Sequence, residues 1–157
     1  KEKIKKLNIE PIIKSVVDDF NNLYKLKRGI NISYENDGKN GYHINGIENR
    51  IEQIVANLLD NAISFSQENQ KVTVKVSKID NNKVMINILD EGQGFKEKDT
   101  NKIFKRFYSN RPDKFGQHSG LGLNIVKNLV DLHNASIEAS NRPNQKGASM
   151  KIIFPRA

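Results

Sequence analysis

Residues 84–95, VMINILDEGQGF, carry a strand directly into a turn that contains two glycines. Val84, Ile86 and Ile88 alternate with other residues, and such alternation is typical of a half-buried β-strand. The following residues 90–94, DEGQG, end the strand, because glycine admits positive φ and lets a ligand approach the backbone closely. The stretch therefore predicts a strand whose end can contribute to a binding site.

The flanking sequence extends this strand into a sheet with helices. Val72, Val74 and Val76 also alternate with polar residues, and residues 80–82 form a turn signal between the two runs, so a β-hairpin is predicted. Apolar residues spaced by three or four predict three helices, at residues 8–27, 47–66 and 121–133. Alternation predicts three more strands, at residues 30–34, 137–140 and 149–154. The remaining long segments are predicted as a turn-rich loop at 36–46 and a mostly irregular stretch at 96–120, with a helical turn at 100–106.

This order of elements predicts one α+β domain. We expect a two-layer α/β sandwich, in which helices pack on one face of a mixed, mostly antiparallel sheet. Residues 1–7 would be the end of a preceding segment, and residues 8–157 would form the domain.

Composition and charge limit the possible functions. The chain has 157 residues and no cysteine, which excludes disulfides, a thiol nucleophile and a sulfur-ligated zinc site. Its net charge is +8, and residues 96–118 contribute +4 of it. Such a basic segment is compatible with an ordinary solvated surface or with an anionic partner: a nucleotide, a nucleic acid or an acidic protein.

Three polar features could bind a nucleotide, although each also has a purely structural interpretation. Asn57 and Asn61 lie one turn apart on the predicted helix, where they could be satisfied structural amides or oxygen ligands of Mg²⁺. Asp90 could cap a turn or accept a hydrogen bond from the amine of adenine. Gly120 and Gly122 open a helix, so free N–H groups there could hold a phosphate.

Five sequence blocks in order carry a family resemblance. They are NLLDNAISFS (57–66), DEGQGF (90–95), IFKRFYSN (103–110), SGLGLNIVKNLV (119–130) and KGAS (146–149). They closely resemble the N box, first glycine box, F box, and second and third glycine boxes of the catalytic ATP-binding domain of sensor histidine kinases. This domain has the Bergerat fold, in the GHKL nucleotide-binding superfamily that includes type II topoisomerases. Residues 107–123, FYSNRPDKFGQHSGLGL, resemble the alphaproteobacterial envelope-stress or acid-sensing kinases.

The resemblance implies a role for each matching residue. Asp90 would bind the adenine amine, and Gly92 and Gly94 would let the backbone turn beneath the base. Asn57 would bind Mg²⁺, with Asn61 close to the metal and the phosphates. The other positions implied in ATP binding are Phe95, Phe104, Arg106, Tyr108, His118, Ser119, Gly120, Leu121, Gly122 and Leu123.

Phe104 and Phe107 would anchor a lid over the nucleotide, and Gly147 would lie beside the pocket. The chain departs from the family at Ser64, where a lysine is common, at Phe65, where tyrosine is common, and at Ser109, where arginine is common. The contact to the γ-phosphate is left open among Lys105, Arg106 and Arg111.

The implied function is half of a histidine kinase, with ATP and Mg²⁺ as cofactors. The acceptor histidine would lie on a separate dimerisation domain, because His43, His118 and His133 do not stand in the expected His-Glu/Asp-x-x-x-Pro motif. A response regulator would act downstream. The full-length protein would be a homodimer and the isolated domain a monomer, without a nucleic-acid partner. The domain would be cytoplasmic and its parent an inner-membrane sensor.

Two other function classes stay open on the sequence alone. An ATPase of the topoisomerase kind would need a glutamate base where this chain has Asn57. A nucleotide-sensing module would bind ATP without transferring phosphate.

Overall fold

The computed structural model describes residues 3–95, 103–104 and 121–157. Three helices and seven strands lie in this part of the chain. In chain order they are β1 (Lys5–Asn8), α1 (Ile9–Arg28), β2 (Asn31–Asn36), β3 (His43–Gly46), α2 (Glu48–Ser64), β4 (Lys71–Ile79), β5 (Lys83–Leu89), α3 (Leu121–Leu132), β6 (Ser136–Asn141) and β7 (Ala148–Pro155). The three predicted helices and five predicted strands are all present.

Five strands form one sheet in the order β2-β4-β5-β7-β6. β2 runs parallel to β4, and the other neighbouring pairs are antiparallel. The helix α2 packs on β4 and β5, while α3 packs on β6. The predicted two-layer sandwich with a mixed, mostly antiparallel sheet is therefore confirmed.

The core lies between the sheet and the helices. The strands contribute apolar side chains at every second residue, and the helices contribute them at every third or fourth residue. The central strands supply Val74, Val76, Ile86, Ile88, Ile152 and Phe154, which are buried. The helix α2 supplies Ile51, Ile54, Val55, Leu58 and Leu59, which are also buried. In the described part of the chain, none of the helices has the length and apolar character needed to cross a bilayer.

The end of α1 also closes the end of α2. The Arg28 guanidinium donates to the carbonyl oxygen of Ile63 at 2.9 Å and to that of Ser66 at 2.6 Å. Ile63 lies in the last turn of α2 and Ser66 lies two residues beyond it. An arginine there adds a charged donor to their carbonyl oxygens and complements the helix dipole. This contact fixes the C-terminal part of α2, the helix that carries Asn57 and Asn61.

A second, two-stranded sheet was not predicted. β1 pairs with β3 in antiparallel orientation, from Lys5 opposite Gly46 to Asn8 opposite His43. Residues 5–7, assigned by sequence to a preceding segment, therefore pair within the fold, and the predicted loop 36–46 contains a strand. Sequence patterns miss such strands because each is four residues long and its partner lies far along the chain.

A hydrogen-bonded carboxylate on α1 should make stability depend on acid pH. The Tyr34 hydroxyl donates to Glu10 at 2.6 Å and holds the pKa of that carboxyl below its ordinary value of 4.5. A lowered pKa stabilises the fold at neutral pH, and the contribution is lost as pH falls through the pKa of the folded state.

We therefore expect Tyr34→Phe to lower the free energy of unfolding by about 1–2 kcal/mol at pH 7, and by less at pH 3. Urea unfolding at both pH values measures this, with Tyr24→Phe as the control for loss of a tyrosine hydroxyl. An equal effect of Tyr34→Phe at the two pH values would contradict the role of Glu10.

Candidate nucleotide-binding site

The centre of the candidate site is a buried carboxylate at the end of β5. Asp90 is 3% exposed, and its Oδ1 accepts the N–H of Gly92 at 2.9 Å and that of Ala148 at 3.1 Å. Its own N–H donates to the carbonyl oxygen of Ala148 at 3.0 Å, which extends the pairing of β5 with β7 by one residue. Two backbone donors satisfy the buried charge and fix the direction of the carboxylate.

Two glycines beside Asp90 leave no room for a side chain. Gly94 has φ +82°, and a Cβ there would overlap the Asn141 side chain. Gly147 has φ +127°, and a Cβ there would overlap the carbonyl oxygen of Asp90. Both positions therefore need glycine for conformation and for space. The glycine-rich turn predicted at residues 90–94 packs closely against Asn141, and Gly147 packs closely against the Asp90 carbonyl.

Asn57 and Asn61 lie on α2, as predicted, and four residues apart. Asn61 is 8% exposed and Asn57 is half-buried. Their carboxamide oxygens are hard ligands of the kind Mg²⁺ accepts together with phosphate oxygens and waters, so the residues fit that cation. Among the described residues, no cluster of three or more His, Cys, Asp or Glu could hold a metal ion.

The start of α3 lies where the second glycine box was predicted. Leu121 is the first described residue of α3, Gly122 is exposed, and Leu123 packs against the core. A Cβ built on Gly122 would meet no atom of the described residues within 4 Å, so the backbone is accessible there. Free N–H groups at a helix start attract anions.

Phe104 is buried in the core next to Ile103, and α3 holds its backbone. The Asn124 amide donates to the Phe104 carbonyl oxygen at 3.3 Å. The implied role of Phe104 as an anchor of a lid over the nucleotide stays a prediction. The predicted site residues Arg106, Tyr108, His118, Ser119 and Gly120 lie outside the described residues, as do Phe107 and the other basic candidates for the γ-phosphate, Lys105 and Arg111.

Sequence reasoning missed three residues that contact the site. Asn124 holds Phe104, and Asn141 and Arg142 hold the turn at residues 90–95. The described structure gathers Asp90, Gly92, Gly94 and Phe95 with the start of β7, which belongs to the third glycine box. The only sequence signal for Asn141 and Arg142 was their position shortly before the KGAS block.

Comparisons with known proteins agree with this geometry. The family described as "Histidine kinase-, DNA gyrase B-, and HSP90-like ATPase" matches residues 46–157. Sensor protein ChvG of Agrobacterium fabrum is 36% identical over 96% of this chain, and ChvG of Rhizobium meliloti is 30% identical over 91%. These relatives confirm the predicted similarity to the alphaproteobacterial subgroup. Sporulation kinase A of Bacillus subtilis is 32% identical over 81% of the chain.

Solved structures show the same fold. The catalytic domain of histidine kinase ThkA is 26% identical, with a TM-score of 0.83 over 98% of this chain and 96% of that one. The mycobacterial sensor histidine kinase MprB is 23% identical, with a TM-score of 0.81 over 98% of this chain and 97% of that one.

The chain spans only part of its relatives' length. It covers 27% of the Agrobacterium ChvG, 26% of the Rhizobium ChvG and 20% of sporulation kinase A. The family match and the shared fold both fall on the segment that contains Asp90 and α2. The chain therefore belongs to the histidine kinase-, DNA gyrase B- and HSP90-like ATPases, as a catalytic domain of the sensor histidine kinase type.

Proposed function

We propose that this chain binds Mg·ATP and donates the γ-phosphate to a histidine on a separate dimerisation domain. It would act as the catalytic part of a two-component sensor histidine kinase. The observation that carries the proposal is the buried Asp90 carboxylate, which Gly92 and Ala148 hold in one direction at the end of β5. The histidine kinases among its relatives support the same assignment.

Adenine recognition follows from the chemistry of this carboxylate. The amine of adenine is a donor, and a fixed carboxylate is an acceptor, so the two form a charge-assisted hydrogen bond of about 1.5–3 kcal/mol. Guanine has a carbonyl oxygen at the same ring position and would place an acceptor against a negative charge. Asp90 thereby favours adenine over guanine.

The phosphates would lie between α2 and the start of α3, two helices that pack on each other. Asn57 is the proposed Mg²⁺ ligand, and Asn61 would stand close to the metal and the phosphates. When bound, Mg²⁺ neutralises charge on the phosphate oxygens. N–H groups at the start of α3, with the basic excess of residues 96–118, would hold the triphosphate by the same electrostatic principle.

The acceptor of the phosphoryl group would come from outside this chain. His133 is 5% exposed, its Nδ1 contacts the Leu129 carbonyl oxygen at 2.8 Å, and its Nε2 accepts the N–H of Ile47 at 3.2 Å. Both ring nitrogens are thus engaged within the fold. Catalysis of phosphoryl transfer rests mainly on positioning and charge neutralisation, so this chain would align ATP for a nucleophile on another domain.

The partners and location follow as further parts of the proposal. We propose a homodimeric parent whose dimerisation domain supplies the histidine, and a response regulator that takes the phosphate onward. ThkA has been solved in complex with the response regulator TrrA, which illustrates such an assembly. The domain would be cytoplasmic, with a membrane sensor as its parent.

Calorimetric titration of the chain with Mg·ADP and Mg·GDP tests the nucleotide part of the proposal. We expect Mg·ADP to bind at least about 100-fold more tightly than Mg·GDP. Transfer is then tested by supplying a separate helical domain that carries the His-Glu/Asp-x-x-x-Pro motif together with radiolabelled Mg·ATP. Binding without transfer to this or any related acceptor would favour a nucleotide-sensing module, and no binding of ADP would remove both functions.

The proposed metal ligand gives a separate prediction. We expect Asn57→Ala to reduce the rate of phosphotransfer at least about 100-fold, because a misplaced phosphate loses electrostatic stabilisation of the transition state. The unfolding midpoint should change little, since Asn57 is only half-buried. Phosphotransfer assays at increasing Mg²⁺ concentration measure the effect, with Asn128→Ala on the exposed face of α3 as the control. Equal rates in parent and Asn57→Ala would show that the metal role is wrong.

A further inference from the structure

Asn141, the last residue of β6, pairs through its side chain with the backbone of Phe95. The carboxamide oxygen accepts the Phe95 N–H at 2.6 Å, and the carboxamide nitrogen donates to the Phe95 carbonyl oxygen at 3.0 Å. One amide side chain thus satisfies the donor and the acceptor of one residue, as a neighbouring strand would. Asn141 is exposed, so its side chain is held by these two hydrogen bonds and not by burial in the core.

The absence of a side chain at Gly94 makes this contact possible. A Cβ at Gly94 would overlap Asn141 Oδ1 and would lie 3.2 Å from the Gly147 carbonyl oxygen. The turn therefore approaches the end of β6 as closely as bare backbone allows.

Arg142 holds the other end of the same turn. Its guanidinium Nη1 donates to the Asp90 carbonyl oxygen at 3.0 Å, and its backbone N–H donates to the Gly147 carbonyl oxygen at 2.9 Å. A hydrogen bond from a charged donor is stronger than one between neutral groups. Asp90 is consequently held at its N–H, its carbonyl and its carboxylate.

Asn141 and Arg142 are consecutive residues, and together they fix the first and the last residue of the turn at residues 90–95. We call these two side chains the Asn141–Arg142 brace. Phe95 and Asp90 lie 46 and 52 residues away in sequence, so the brace joins segments that the chain does not keep together. The glycines of the turn, by contrast, allow many backbone conformations in the absence of such contacts.

We propose that the Asn141–Arg142 brace positions Asp90 and its turn for adenine, and that both are positioning residues for nucleotide selectivity. This inference rests on the proposed function, because it deepens the role of the same site. A turn held in its binding conformation before the nucleotide arrives loses less entropy on binding. Loss of the brace should therefore weaken the contact to the base, while the contacts to the phosphates stay as they are.

The test uses Asn141→Ala and Arg142→Ala, with Asn144→Ala as the matched control. Asn144 lies in the same connection between β6 and β7 and is exposed. Calorimetry measures the Kd of Mg·ADP, and competition against ADP measures the Kd of Mg·IDP, in which a carbonyl replaces the amine. Each brace variant should raise the Kd of ADP about tenfold, as expected for one or two lost hydrogen bonds, with less than a threefold change for IDP. Asn144→Ala should change neither Kd by more than about twofold.

The outcomes separate the two proposals. If the parent does not bind ADP, the proposed function fails and the inference falls with it. If the parent binds ADP and both brace variants bind it equally well, only the brace is wrong. Equal weakening of ADP and IDP also overturns the inference, because a general loss of structure does not discriminate between bases.

Amide hydrogen exchange of the nucleotide-free chain gives a second measurement that does not need binding. In the brace variants, exchange at Gly92 and Phe95 should become at least about tenfold faster, while exchange in β4 stays slow. Unchanged protection at Gly92 and Phe95 would overturn the brace even if a variant were too unstable for calorimetry.

Discussion

Replacing Asp90 by asparagine should weaken Mg·ADP binding about 100-fold and leave the fold intact. The carboxamide keeps an oxygen that can accept the N–H groups of Gly92 and Ala148, which Asp90 Oδ1 accepts in the parent. Its second polar atom becomes an NH₂ group, a donor, where the proposal requires an acceptor for the adenine amine. The charge-assisted hydrogen bond is lost, and the NH₂ group of asparagine faces the amine of adenine, which is also a donor. Together these two changes give an effect of this size.

The same substitution should reduce the preference for adenine over guanine. The NH₂ group of asparagine suits the carbonyl oxygen of guanine better than a carboxylate does. Titrations with Mg·ADP and Mg·GDP measure both affinities, and circular dichroism with thermal unfolding checks the fold. Asp18→Asn, at an exposed position of α1, is the control for loss of one negative charge. ADP affinity unchanged in Asp90→Asn would refute the adenine assignment.

The elements that dominate the fold could be predicted because their patterns are local. The helices α1, α2 and α3 each carry apolar residues at helical spacing, and the hairpin of β4 and β5 has alternation on both sides of a turn. Asp90 and its glycines could likewise be predicted, because a strand followed by a glycine turn is visible in one short segment.

The features that sequence reasoning missed depend on distant partners. The strand β3 has four residues and exists through its pairing with β1, which has no strong alternation of its own. The Asn141 side chain contacts Phe95, which lies 46 residues away in sequence, and no periodicity in the sequence predicts such a bond. The predicted contacts of Arg106, Tyr108 and His118 lie outside the described residues and stay predictions.

Gly147→Ala should both destabilise the fold and weaken nucleotide binding, because two independent costs meet at this residue. Its φ of +127° lies where residues with a side chain are strained. In addition, a methyl group there would overlap the Asp90 carbonyl oxygen and approach Arg142 Cδ to 2.9 Å. The obstructing atom belongs to the backbone, so relief requires movement of Asp90 itself. We expect a loss of about 3 kcal/mol in the free energy of unfolding.

Gly38→Ala separates these two costs. Gly38 also has positive φ, +79°, but a Cβ there would meet no atom of the described part of the chain within 4 Å. It should therefore show the backbone cost alone, about 1 kcal/mol, with the Kd of Mg·ADP unchanged. For Gly147→Ala we expect the larger loss of stability, and at least a tenfold rise in Kd measured below the unfolding temperature, because the displaced carbonyl carries the Asp90 carboxylate with it. The opposite outcome would be an equal, small loss of unfolding free energy in Gly147→Ala and Gly38→Ala, with the Kd of Mg·ADP unchanged in both. Close packing of β7 against Asp90 would then have no part in shaping the nucleotide site.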